Sequence, residues 1–242
     1  MLRTSEVARG ANTVQRTLRR FCYTAMQAVL KKLCTGLAAT LCSLVPLTAL
    51  AANTWDFRVF LDDKEIGTHR FDLLDKGGGE RQLTSQARMA VKVLFVTAYT
   101  YDHHDVEHWS GDCLSRLTSK TDDNGDQHQV EVQRQDAATV VKTRDGTKTL
   151  GNCVLTFAYW NPAMLKQTRL LNSQDGEHVE VKITDAGADS VVVRGVKTPA
   201  RRYELRSTNQ KLSIDLWYSP SNEWLALESK TERGQKLIYK LK

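Results

Sequence analysis

The chain has 242 residues, with 34 Lys and Arg against 28 Asp and Glu. Its formal net charge of +6 belongs to the first 51 residues, which hold seven basic residues and one acid; residues 52–242 hold 27 of each sign. A neutral body has no basic stripe with which to neutralise phosphates, and Arg201-Arg202 is too short to make one, so no nucleic-acid partner is expected.

Residues 1–25 are rich in Arg and Thr and follow neither a helix nor a strand period. They read as a disordered, over-extended start, with Met26 the true first residue. Lys31 and Lys32 then precede an uncharged run from Leu33 to Leu50, closed by Ala49-Leu50-Ala51. A basic segment, an apolar segment and a small-residue site make residues 26–51 a secretory signal peptide, cleaved after Ala51. The rival is a retained membrane anchor, because eighteen uncharged residues are just long enough to span. Thr35, Gly36, Thr40, Ser43, Pro46 and Thr48 dilute that run and favour cleavage. The expectation is a periplasmic or secreted single domain over residues 52–242, with no integral membrane segment after cleavage. Two cysteines remain in it, Cys113 and Cys153, and an oxidising compartment favours a disulfide between them. The alternatives are two free thiols, or a Cys113 nucleophile assisted by His108.

From residue 52 onward, short strands alternate with turn signals. Trp55–Leu61 puts Trp55, Phe57, Val59 and Leu61 on one face. Ile66–Leu74, Arg81–Phe95, Tyr99–Trp109, Cys113–Thr121, Gln127–Gln133, Thr139–Thr143 and Lys148–Phe157 follow. Asn124-Gly125 is a strong hairpin signal, and Gly77-Gly78-Gly79 is a flexible turn. The period breaks once: Asn161-Pro162 supplies an N-cap and a proline at the first helical position, predicting a short helix from Asn161 to about Leu171. Strands then resume over Glu177–Ile183, Ser190–Val196, Arg201–Arg206, Lys211–Tyr218, Trp224–Lys230 and Lys236–Leu241, with turns at Asp185–Asp189 and Pro199. About a dozen consecutive strands on short connections predict an all-β fold, a curled antiparallel meander. With no second set of helices to cover the far face, the sheet must close as a half-barrel or barrel, or split into a sandwich.

The succession Trp109-x-Gly111-x-x-Leu114, Thr121-x-x-Asn124-Gly125, Tyr159-Trp160-Asn161-Pro162 and Leu216-Trp217-Tyr218 resembles an uncharacterised family of exported bacterial all-β domains, a domain of unknown function. The resemblance covers most of residues 52–242 and implies an envelope or secreted β protein without an assigned activity. A looser similarity is to periplasmic lipoprotein-carrier half-barrels, in which a curved sheet holds a greasy ligand under short helices.

The chemistry-bearing residues crowd between Tyr99 and Val132. On a strand, His104, Val106 and His108 share one face, while His103, Asp105 and Glu107 share the other. That split leaves His104 and His108 as weak metal candidates and makes a solvated polar strand the plainer reading. Asp122–Asp126 resembles part of a calcium loop, but Lys120 would stand at the first ligand position, so a hairpin turn is expected. No nucleophile elbow, phosphate loop or dinucleotide fingerprint is present, and no cofactor is expected. Trp217 and Trp224 fall on otherwise polar strand faces by simple alternation. That predicts either cross-strand packing or a surface for an apolar small molecule or an envelope protein. The sequence therefore points to non-enzymatic binding. An enzyme with a hidden hydrolase or isomerase site, and a structural envelope component, are the alternatives.

Overall fold

The computed structural model describes residues 52–209, 211–231 and 234–242. The start at Met26 and the signal peptide through residue 51 lie outside the described residues. The strands are β1 (Ala52–Leu61), β2 (Lys64–Gly77), β3 (Glu80–Val93), β4 (Val96–Ser110), β5 (Cys113–Asp123), β6 (Asp126–Gln135), β7 (Ala138–Thr143), β8 (Gly146–Leu150), β9 (Arg169–Leu171), β10 (His178–Val193), β11 (Val196–Ser207), β12 (Ser213–Tyr218), β13 (Trp224–Lys230) and β14 (Lys236–Leu241). Tight hairpins join many of them. Asp62, Asn124, Asp136 and Arg194 take the left-handed conformation that two-residue hairpin turns require, at φ 53°, 54°, 45° and 48°.

Among the described residues, all strands lie in one antiparallel sheet of 14, in the order β8-β7-β6-β5-β4-β3-β2-β1-β14-β13-β12-β11-β10-β9. The first eight strands meander one way. The chain then crosses to the far end of the sheet, and six more meander back until β14 lies beside β1, with Phe57 opposite Leu241. The edges β8 and β9 do not pair, so the sheet is open, but it is strongly curled. Gly176, just past β9, packs against Val130, Val141 and Thr143 of β6 and β7 near the opposite edge. Lys148 of β8 also pairs with Glu177 at 2.7 Å. Neither contact can form across a flat sheet of this width.

The concave face is the core. Trp224 packs on Phe57, Phe71 and Tyr159 at centroid distances of 4.5, 5.2 and 5.2 Å. The crossing segment, residues 151–168, fills the rest of the concavity. Its Trp160 stands edge-on to Trp109 at 5.4 Å, and Met164 is wholly buried. Leu171 joins Thr156 in an isolated parallel bridge, which ties this segment to β9. Cys113 and Cys153 form a disulfide with Cα atoms 5.0 Å apart, anchoring the start of β5 to the crossing segment. Leu114 N–H donates to the Val154 carbonyl at 3.0 Å beside it.

Several local expectations are corrected. The helix of residues 161–171 is only a 3₁₀ turn over Pro162–Lys166. Asn161 does cap it, accepting from Ala163 N–H, but Arg169–Leu171 pairs as a strand. Two turns of helix would need an apolar stripe with a surface to cover, whereas Leu170 and Leu171 complete the sheet edge. Strand Lys148–Phe157 ends at Leu150, because the chain turns inward. Asp185–Asp189 is a bulge, at which register shifts between Asp185 and Gly187, and it lies inside one continuous strand, β10. Pro199 sits within β11 opposite Ser190.

Candidate functional site

Two regions concentrate functional side chains: a polar seam inside the curl and a groove on its outer face.

The seam arises because alternation along β4 turns His103, Asp105, Glu107 and Trp109 inward, with exposures of 3, 3, 2 and 0%. This corrects the solvated polar strand: the polar face is the buried one, and His104 and His108 are outside. Register places each inward residue in a cross-strand rung. His69, Ala87, His103 and Thr121 form one; Phe71, Ser85, Asp105 and Ser119 the next; Leu73, Leu83, Glu107 and Leu117 the third. His103 bridges Thr121 Oγ1 at 2.8 Å and Asp105 Oδ2 at 3.0 Å. His69 contacts Ser85 Oγ at 2.9 Å and the Tyr239 hydroxyl at 3.2 Å. Trp109 Nε1–H donates to Glu107 at 2.9 Å. Burial holds His69 well below the ordinary histidine range, with the neighbouring His103 adding to the effect. Burial, reinforced by the Asp105 charge, pushes the Glu107 carboxyl up to about 8. Nothing in the sequence period distinguished this face from its reverse, since both carry polar residues. The turn positions and the inward Trp109 were the available signal.

Chemically, the seam contains a hydroxyl–imidazole pair, Ser85 with His69, and an imidazole–carboxylate pair, His103 with Asp105. Nucleophilic catalysis needs one imidazole between hydroxyl and carboxylate. Ser85 and Asp105 sit on different imidazoles, whose ring centroids are 6.5 Å apart. His103 does stand between the Thr121 hydroxyl and Asp105, but that hydroxyl is 3% exposed and also reaches the Gln174 carbonyl at 3.3 Å. Ser85 is 2% exposed.

His104 and His108 are four residues apart on the outer face, roughly 13 Å at strand rise. His104 stands opposite Gln86 and Lys120, and His108 opposite Gln82 and Arg116. Partial burial, then Lys76 and Arg116, lowers the His108 pKa. Cationic neighbours suit a metal poorly, and among the described residues no group of three or more His, Cys, Asp or Glu side chains is arranged to hold one.

The outer groove forms where the tip of the β10–β11 hairpin folds over β13 and β14. Arg194 of the tip donates to the Lys242 carbonyl, and Val193 packs inward. The hollow beneath measures about 630 Å³; its lining includes Val191, Val192, Trp217, Ala226, Ile238 and Lys240. Register explains it: Trp217, Ala226, Lys240 and Arg58 form one outer rung across β12, β13, β14 and β1. Ala226 is the small residue between long ones, so the rung has a gap at its centre. Trp217 is held by its Nε1–H on Asp189 Oδ2 at 2.9 Å, a bond that keeps the Asp189 carboxyl below its usual range. Lys240 Nζ lies 4.5 Å and the Arg58 guanidinium 5.1 Å from the Phe60 ring, and Arg58 is paired with the Glu65 carboxylate, so Lys240 is the cation the groove's end offers.

Trp224 is not part of this surface. It is 1% exposed and belongs to the core. Register shifts by one residue at Trp217/Tyr218: Trp217 pairs with Ala226, but Tyr218 pairs with Trp224. Leu225 is the bulged residue, and one extra residue reverses the facing of everything before it. The two tryptophans therefore lie on opposite faces.

The family model "Domain of unknown function (DUF6134)" matches residues 57–242, and the chain belongs to that family. No curated protein matches it. Among solved structures, a beta-barrel-like protein of domain of unknown function DUF1849 from Brucella abortus is similar, with a TM-score of 0.60 at 12% identity over 81% of this chain and 97% of that one. At that identity the likeness is one of fold: an all-β, barrel-like sheet.

Proposed function

We propose that this DUF6134 domain is a non-enzymatic binding protein of the cell envelope that holds an elongated ligand with an apolar body and an anionic end. The observation that carries the reading is the outer groove. Its volume falls within the few hundred to about 1,000 Å³ typical of small-molecule sites. It is apolar along Val191, Val192, Trp217 and Ile238 and ends at Lys240, beside Arg58, which is paired with Glu65. The concave side is occupied by the domain's own aromatic residues and crossing segment, so the ligand of this reading lies outside the curl, unlike that of a half-barrel carrier. The disulfide and the lack of any helix long and apolar enough to cross a membrane among the described residues are compatible with export. The burial of both hydroxyls beside the seam's imidazoles, Ser85 at 2% and Thr121 at 3% exposed, favours a structural role for the seam over the hydrolase alternative.

Fatty acids and the matching fatty alcohols test this reading by calorimetry and by the fluorescence of Trp217, the tryptophan at the groove. The expected result is saturable binding of the acids, weaker binding of the alcohols, and loss of binding in Ala226→Leu, which fills the gap in the rung. Acids that do not bind, or that bind Ala226→Leu equally well, would overturn the assignment.

A further inference from the structure

The turn joining β3 to β4 breaks the pattern set by the other tight turns. Asp62, Asn124, Asp136 and Arg194 hold the left-handed position elsewhere, whereas here it is Leu94, at φ 55°, followed by Phe95. A left-handed Leu is unfavourable, and Asn-Gly is the pair this geometry prefers. Nothing in the fold compensates for it: Leu94, Phe95 and Val96 are 89, 101 and 68% exposed, and Phe95 shields no part of the core. The turn also projects. Tyr101 is the last residue of β4 to pair with β5, and Thr100 still bonds to Asn124 of the β5–β6 turn, so Val96–Tyr99 overhang that turn by roughly 13 Å. Strain and exposed apolar surface at one protruding point indicate a contact made outside the chain.

The root of the turn is basic. Lys92 stands one residue before the end of β3, and Lys64 of β2 reaches across to its carbonyl. On the adjacent turn, Asp62 faces back and accepts Lys236 N–H, leaving Asp63 to offset one of the two lysines; Asp123, on the other flank and further from the tip, accepts from the Tyr99 hydroxyl at 2.6 Å. Three side chains at a tip present much less than the ~800 Å² per partner of a standard protein interface. An apolar wedge above a lysine collar instead matches the boundary between headgroups and acyl chains of an anionic bilayer.

We propose that the Leu94–Val96 turn docks this domain on an anionic lipid surface, with Leu94 and Phe95 entering the interface and Lys64 and Lys92 meeting lipid phosphates. This surface lies apart from the outer groove and does not depend on the groove's ligand. The test is flotation of the protein with phosphatidylcholine vesicles, with and without phosphatidylglycerol. The double substitution Leu94→Asn with Phe95→Gly installs the preferred turn. It should leave the melting temperature equal or higher while lowering partition onto anionic vesicles at least about tenfold. Lys64→Gln with Lys92→Gln should remove the preference for anionic over neutral vesicles. Ala226→Leu should bind vesicles like the wild type, whatever it does to fatty-acid binding. No wild-type binding, or undiminished binding by the turn variant, would overturn the proposal. Equal binding to neutral vesicles would overturn the anionic assignment, and self-association abolished by the turn substitutions without vesicle binding would assign the tip to a second copy of the chain.

Discussion

Replacing Glu107 by Gln should flatten the pH dependence of stability above neutrality. The Glu107 carboxyl is 2% exposed, and its pKa is pushed from 4.5 up to about 8, first by burial and then by Asp105. The folded protein thus keeps a proton that the unfolded chain releases above pH 4.5. For a raised carboxyl, the stabilising contribution is complete below the unfolded pKa and is lost as the pH climbs to the folded one, at ~1.4 kcal/mol per pH unit. His69 has the opposite sign. Its pKa is lowered from 6.5, so its contribution is complete above that pH and is lost as the pH falls below it. The two slopes oppose each other below pH 6.5, and from there to about 8 Glu107 is the group that titrates. Over that interval it should remove roughly 2 kcal/mol of stability. Gln is nearly isosteric, cannot ionise, and retains an oxygen to accept from Trp109. Urea unfolding followed by tryptophan fluorescence across this window should show a falling free energy for the wild type and a level one for Glu107→Gln. Parallel curves for the two proteins would refute the assignment of the proton to this seam.

Trp224→Ala should cost about 3–5 kcal/mol in chemical denaturation, whereas Trp217→Ala should stay within about 1 kcal/mol, because only the first leaves a cavity in the core. Replacing both Cys113 and Cys153 by Ser opens a cross-link with a sequence separation of 40. The loss should be roughly 4 kcal/mol by chain entropy, and adding reductant to the wild type should reproduce it. Gly176→Ala should destabilise by about 1–3 kcal/mol, since a Cβ there would lie 2.5 Å from Thr143 Cγ2 on a backbone at φ 77°. Thr143→Ser removes that methyl and should recover part of the loss, which a double-mutant cycle in thermal unfolding will show.

Alternation and turn chemistry made the all-β class, the antiparallel meander and most strand positions legible in the chain alone. These signals are local: a period of two, an Asn-Gly pair, an N-cap before Pro162. Each acts within a few residues and needs no partner to be recognised. The pairing of Cys113 with Cys153 was legible too, because only two cysteines follow residue 51. What lay beyond the sequence depends on phase and on contacts between distant segments. A strand that is polar on both faces has no preferred inside, and β4 became inward-facing at His103, Asp105 and Glu107 through the sheet it joined. Alternation also cannot anticipate a bulge. One residue, Leu225, carried Trp224 from the expected outer face into the aromatic core and left Trp217 to mark the groove. That groove exists because β10 is long enough to reach over β13 and β14, and because Ala226 falls between Trp217 and Lys240 in a shared rung. Those residues come from strands separated in the chain, so their neighbourhood is a property of register, which long-range pairing alone decides.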